Sequence, residues 1–259
     1  MSIDYTTKVY YEKALNRNVW NSKLDASDTT PKDERGAVRW TYDPVFGIRG
    51  FEYVRFDQSG GADKGQIVTY RGLVAINNIT SGTTTSITTS GLTADILAGG
   101  ILRCLDDAGG AGAAPEGEQA LIVSNSTTLV TIDSNDAFSA APAANDDFTV
   151  EIPWAVIDSA AGDTSALVAG VAMADQDQYD YGWVQFAGLH PEVNCVAAGT
   201  AVTAAKSLIA DTNVVTNGSS SVVSLLIGYT KTGISSDTVL RKLPVYLNCG
   251  AALRLGASA

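Results

Sequence analysis

The chain has 259 residues, 45% of them apolar, and a net charge of −11. That length accommodates one large all-β domain or two smaller ones, and no run approaches the ~18 apolar residues of a membrane span, so no membrane partner is expected. One histidine and three scattered cysteines exclude zinc sites built on two histidines or four cysteines and supply no disulfide framework.

Cys104, Cys195 and Cys249 are expected to be reduced, buried apolar residues. The first twenty residues contain no apolar leader core, so the expectation is a protein made and used without export. Charge is unevenly placed. Residues 1–39 hold seven of the seventeen basic residues (Lys8, Lys13, Arg17, Lys23, Lys32, Arg35 and Arg39). Between Arg103 and Lys206 there is no Lys or Arg, but there are fifteen acidic residues. A body of that charge repels phosphate backbones, so no direct nucleic-acid partner is expected. The polarity suggests that one end meets a partner and the other faces solvent.

In chain order, residues 1–36 are polar and weakly periodic, with a short helix expected within 5–20 and a turn-rich connector after it. This segment reads as an N-terminal arm. Tyr5, Tyr10, Tyr11, Leu15 and Trp20 provide more aromatic anchor than disordered tails carry, which predicts that it orders on a neighbouring subunit. From residue 37, "AVRWTY", "FEYVRF" and "QIVTYRGLVAI" are rich in β-branched and aromatic residues, the mark of strands. Rings on both faces of "GFEYVRF" predict a strand covered on both sides, or covered by another subunit.

The Ser/Thr run at 80–91 reads as a linker or a polar edge hairpin. "ILRCL", "QALIVS", "TLVTID" and "DFTVEIPWAVID" read as short strands joined by small acidic loops. "TADILAGG" is a helix candidate, and "SALVAGVAMA" a strand. Beyond residue 182, strands recur about every 8–12 residues, which indicates a sandwich or small barrel. Pro244 predicts an edge position or a bulge. The fold class is therefore mainly β: a β-barrel or β-sandwich body (37–79 and 181–259), an extended arm (1–36), and an inserted acidic distal β region rich in Gly, Ala, Ser and Thr (80–180).

Chemistry has few candidates. His190 is the single imidazole, no nucleophile elbow surrounds any serine, and Pro191 places the histidine at a strand end or turn. Asp106–Asp107 and Asp146–Asp147 are adjacent carboxylates on loops. They would serve a carbohydrate-active sandwich only if folding gave two of them a glycosidase spacing. Asp175, Asp177 and Asp180 lack the glycine and closing glutamate of a calcium loop. No phosphate or dinucleotide motif occurs. The expectation is a protein that is not an enzyme and has no cofactor or metal.

Three stretches, in order, carry a resemblance: "RGFEYVRFDQSGGADKGQIVTY", then "YGWVQFAG", then "AAGTAVTAAKSL", "IGYT" and "TVLRKLPVYLNC". Together they resemble decoration, or cement, proteins of tailed-bacteriophage heads, over residues 50–70 and 180–249. The resemblance implies a β-barrel or sandwich seated on the outside of the capsid, commonly as a homotrimer, with the major capsid protein as partner. It implies stabilisation of the shell against the pressure of packaged DNA. Arm and body together then suggest an interface formed by Tyr5, Tyr10, Tyr11, Leu15, Trp20, Arg35, Arg39, Trp40, Phe51, Tyr53, Trp183 and His190. A tail-tube, head-fibre or adsorption protein is the alternative within the virion.

Overall fold

The computed structural model describes residues 20–77, 79–106, 114–158, 167–195, 207–211, 214–217, 226–230 and 241–249. Those residues are mainly β, as the residue types predict, with one 3-10 turn at Ser134–Asp136. The chain divides into two units, 1–70 with 154–259, and 71–153. The excursion thus begins at 71 and not at 80, and ends at 153 and not at 180, because the next two strands return to the first unit. The five residues Val168–Ala172 are all buried, and a strand apolar on both faces needs neighbours on both sides.

The first unit begins with β1 (Val38–Asp43), β2 (Gly47–Phe56) and β3 (Ile67–Tyr70). The second unit supplies β4 (Val74–Ile76), β5 (Ser81–Thr83), β6 (Ser86–Thr88), β7 (Ile101–Asp106), β8 (Gln119–Asn125), β9 (Leu129–Ile132) and β10 (Asp147–Glu151). The chain then returns through β11 (Ala155–Asp158), β12 (Val168–Ala172), β13 (Tyr181–Cys195), β14 (Ser207–Asp211), β15 (Val214–Asn217), β16 (Leu226–Tyr229) and β17 (Arg241–Asn248).

Pairing in the first unit closes on itself twice. β2, β11, β3, β12 and β13 form one circuit, since β13 also pairs with β2. β13, β15, β14, β16 and β17 form a second. The 15-residue β13 belongs to both: residues 181–187 face β2, and 187–195 face β17. Closure satisfies strand edges that would otherwise be open. Val54, Phe56, Val68, Val156, Ala169 and Val184 share the first circuit's core, and Phe186, Val193, Leu243, Val245 and Leu247 cluster farther along β13.

β13 bends where it passes from one circuit to the other. Its register shifts between Gln185 and Ala187 and again between His190 and Val193. Gly188 sits at the first bend with φ of 85°, and a Cβ there would lie 2.2 Å from the Ile48 carbonyl oxygen, so only glycine fits. Pro191 falls inside the second shift, where its missing N–H costs no ladder bond. His190 is therefore interior to a strand, not at a strand end or turn. Pro244 lies opposite the same shift, which fulfils the bulge expectation.

The second unit is one seven-stranded antiparallel sheet in the order β4-β10-β7-β8-β9-β6-β5. The Ser/Thr run forms the edge hairpin β5–β6, with Ile87 and Thr89 buried. "TADILAGG" is not a helix. Asn125 captures it, donating from Nδ2 to the Thr93 carbonyl (2.7 Å) and accepting the Leu97 amide N–H (2.8 Å), with Asp95 at φ of 61°. Leu97 is thereby buried in a turn. Asparagine side chains that satisfy backbone groups in this way compete directly with helix formation.

Candidate functional site

Two faces of the β1–β2–β13 region carry most of the predicted interface residues. On one, Tyr53, Tyr181 and Trp183 form an aromatic cluster with Phe51. Trp183 packs against Tyr53 with ring centroids 5.1 Å apart, and Tyr53 stacks on Tyr181 at 6.3 Å. Trp20 closes the cluster edge-on to Trp183 at 5.2 Å. The Arg39 guanidinium lies over both indoles, 6.0 and 5.9 Å from the ring centroids, an arrangement favoured by the ring quadrupole. Arg35 lies over Trp154 at 4.8 Å.

The connector between Trp20 and Gly36 is fastened to this face by polar contacts. Asp28 and Tyr181 exchange two backbone hydrogen bonds of 2.8 Å. The Tyr53 hydroxyl donates to Asp28 Oδ2 (2.9 Å) and accepts the Lys32 amide N–H (3.2 Å). Lys32 Nζ lies 2.5 Å from Asp28 Oδ1. Burial works against the Asp28 carboxylate, but the Lys32, Ser22 and Tyr53 hydrogen bonds outweigh it and hold its pKa below the usual range. Burial pushes the Tyr53 phenol well above its ordinary value.

These contacts correct the arm. Residues 20–36 fold on their own chain, because Trp20 and Leu24 cover rings that would otherwise meet water. Tyr5, Tyr10, Tyr11 and Leu15 lie outside the described residues. Phe51, Tyr53, Trp183 and His190 are fully buried within the chain, so they are core and not contact surface.

The opposite face of the β1–β2 hairpin is open. Trp40 is 58% exposed, Ile48 65% and Val45 78%, with Val38 also exposed. Trp40 rests edge-on against Phe186 at 5.3 Å, above Gly50, where a Cβ would meet both rings within 2.9 Å. Arg49 bridges the hairpin from Asp43 (3.4 Å) to the rings of Phe51 and Phe46. Of the predicted interface residues that are described, Trp40 is thus the one presented as an apolar contact. Sequence reasoning missed Val38, Val45 and Ile48, although the alternation Val38-Trp40-Tyr42 carried the signal.

His190 is 1% exposed, and its Nδ1 accepts the Glu192 amide N–H at 3.1 Å. Burial, and then Arg49, Lys64 and Lys242, push its pKa down to about 3. The unfolded ring titrates near ~6.5. Stability from the neutral ring is therefore complete above that pH and lost as pH falls towards 3, by about 1.4 kcal/mol per unit. Between pH 6.5 and 5, above the ordinary carboxylate range, urea melts of wild type should weaken more than those of His190→Gln. Equal slopes would refute the assignment. Burial also pushes the Cys195 thiol up to about 12, although a backbone hydrogen bond at Leu243 opposes the shift; a thiol this high is a poor nucleophile.

Asp146, Asp175 and Asp180 brace neighbouring chain, whereas Asp106 and Asp147 stand at the ends of β7 and β10, opposite each other in register. Asp146 Oδ2 accepts the Ala143 amide N–H at 2.8 Å. The Asp106 side chain and Asp107 lie outside the described residues. Asp175 Oδ1 accepts the Lys64 amide N–H (2.7 Å), and Asp180 Oδ2 accepts the Ser27 hydroxyl (2.5 Å). Among the described residues no group of three or more His, Cys, Asp or Glu could hold a metal ion. Comparison of the chain with protein-family models, with curated proteins and with solved structures finds no match.

Proposed function

We propose that this chain is a non-enzymatic structural protein of a tailed-phage particle, seated as a homotrimer on the outside of the capsid, where its contacts stabilise the shell. The observation that carries the reading is the exposed Val38, Trp40, Val45 and Ile48 on one hairpin of an otherwise acidic chain. Exposed apolar patches of this kind mark contact with another macromolecule. The order of the "GFEYV", "GWVQFAG" and "LPVYLNC" motifs supports the phage setting. Repetition over a shell would multiply weak contacts through avidity.

The test is reconstitution on purified heads that lack the protein. Wild type is expected to co-sediment with heads and raise the temperature at which they release DNA. The chain lacking residues 1–19 should remain folded and fail to bind. Removing 1–36 should instead lower the unfolding midpoint, since it strips Trp20 and Asp28 from the aromatic face. Normal binding without residues 1–19 would refute the role of the arm. Label on tails in electron micrographs would favour a tail-tube, head-fibre or adsorption role and overturn the capsid reading.

A further inference from the structure

One face of the second unit's sheet carries aliphatic side chains that a single copy leaves in water. Leu102, Cys104, Ala120, Ile122 and Val130 point to the other face and are almost wholly buried. Their neighbours along β7, β8 and β9 therefore point outward. Among those are Ile101, Leu105, Leu121, Val123 and Leu129, each 36–54% exposed. A sheet with one wet face normally alternates apolar-in with polar-out, and this one does not. Ile101 stands directly opposite Leu121, and a register shift between Ile122 and Ser124 leaves Val123 outward next to them. Two charges flank this strip. Glu151 of β10 stands opposite Ile101, and Arg103 lies two residues farther along β7, opposite Thr149 and Gln119. Arg103 is the one Lys or Arg between Arg71 and Lys206. Both charged residues are exposed, and neither side chain makes an ion pair or hydrogen bond among the described residues.

We propose that this face packs against the same face of a second copy, about a two-fold axis lying between the two sheets. The axis crosses the Ile101–Leu121 row, and Arg103 of each copy meets Glu151 of the other. Register dictates that arrangement. Arg103 and Glu151 are diagonal neighbours on adjacent strands, so an axis midway between them passes through the aliphatic strip and exchanges their places. The ion pair then forms twice. Ile101, Leu121 and Val123 meet at the centre, as inner faces do between packed sheets. An aliphatic centre with a polar rim, here Gln119 and Thr149, is the anatomy of a specific interface. Charge selects the occupant. The strip presents one unpaired cation and one unpaired anion, and the same face turned over presents them in the opposite order. The inference does not depend on the phage reading.

The experiment uses the full chain. Sedimentation equilibrium over a concentration series should show an even number of copies, two, or six where trimers form as well. Leu121→Lys, at a position already exposed in the single chain, should abolish the two-fold contact while circular dichroism reports the same fold. Arg103→Glu and Glu151→Arg should each weaken the contact about tenfold or more, because like charges then face each other twice. Both changes together should restore wild-type association, since the exchanged charges meet again. That rescue decides the matter even where Leu121→Lys fails to fold. Ile48→Lys, on the β1–β2 hairpin, should leave the contact intact. A single chain at all concentrations, an assembly of three, association that survives Leu121→Lys, or a double variant no tighter than the single ones overturns the pairing. So does association that appears only after residues 1–19 are removed, since that segment then covers the face. A dimer that binds no capsid keeps the pairing and overturns the phage reading. A trimer that binds does the reverse.

Discussion

Replacing Trp183 with alanine is expected to cost about 3–5 kcal/mol of stability, the range for removing a fully buried indole. The residue is 0% exposed and stands at the centre of the ring cluster, touching Tyr53 on its own sheet and Trp20 on the connector. Its loss removes packing from both sides of the contact that fastens residues 20–36. The connector should loosen together with the core, so amides near Asp28 and Tyr181 should exchange faster. Trp183→Phe, which keeps a ring edge for Trp20, should lose distinctly less. Urea melts followed by circular dichroism separate these cases. A cost for Trp183→Ala below about 1 kcal/mol, the scale of an ordinary substitution, would show that the cluster does not hold this face.

The second large effect belongs to a charge. Arg55 and Asp57 form a two-bond pair in which both side chains are buried, with Nε to Oδ1 at 2.5 Å and Nη2 to Oδ2 at 2.9 Å. Burial works to lower the Arg55 pKa, and the Asp57 carboxylate outweighs it and holds the guanidinium above its ordinary value. Asp57→Ala leaves a guanidinium in the core with no counter-charge and is expected to cost about 3–5 kcal/mol. Replacing both, as Arg55→Met with Asp57→Leu, should recover most of that loss, because the desolvation of the pair disappears with it. If the double variant is no more stable than Asp57→Ala, the pair contributes more than mutual neutralisation. Both residues lie where β2 meets β11 and β13, so the effect should appear as loss of the first unit's cooperative unfolding.

Much of the architecture was legible in residue types. β-Branched and aromatic runs marked β1, β2, β3 and the strands of the second unit, since such side chains fit a pleated surface. Pro244 announced an edge position or a bulge, because proline cannot donate to a ladder, and a bulge lies opposite it. Cysteines with no spacing pattern lie buried and outside any disulfide. The misreadings share a cause. "TADILAGG" has a helical look, but a side chain 28 residues away, Asn125, takes its amide at Leu97. Pro191 suggests a strand end, yet a bulge in the partner register absorbs it. Trp20 looks like an anchor for a neighbour, and it anchors its own chain. Each outcome depends on a distant partner.

The residues alone decide that this is an acidic, mainly β protein with a single histidine, because charge and strand propensity are local properties. They also decide that β1 alternates apolar and polar side chains, the pattern that defines its open face. Tertiary structure decides which rings are hidden. Phe51, Tyr53 and Trp183 come from strands far apart in sequence, and only the pairing of β2 with β13 sets them on one face under Trp20. Trp40, one position along the strand from Arg39, falls on the other face and stays exposed. A strand sends successive side chains to opposite sides, so register separates a core ring from a contact ring, and register is a property of the assembled sheet.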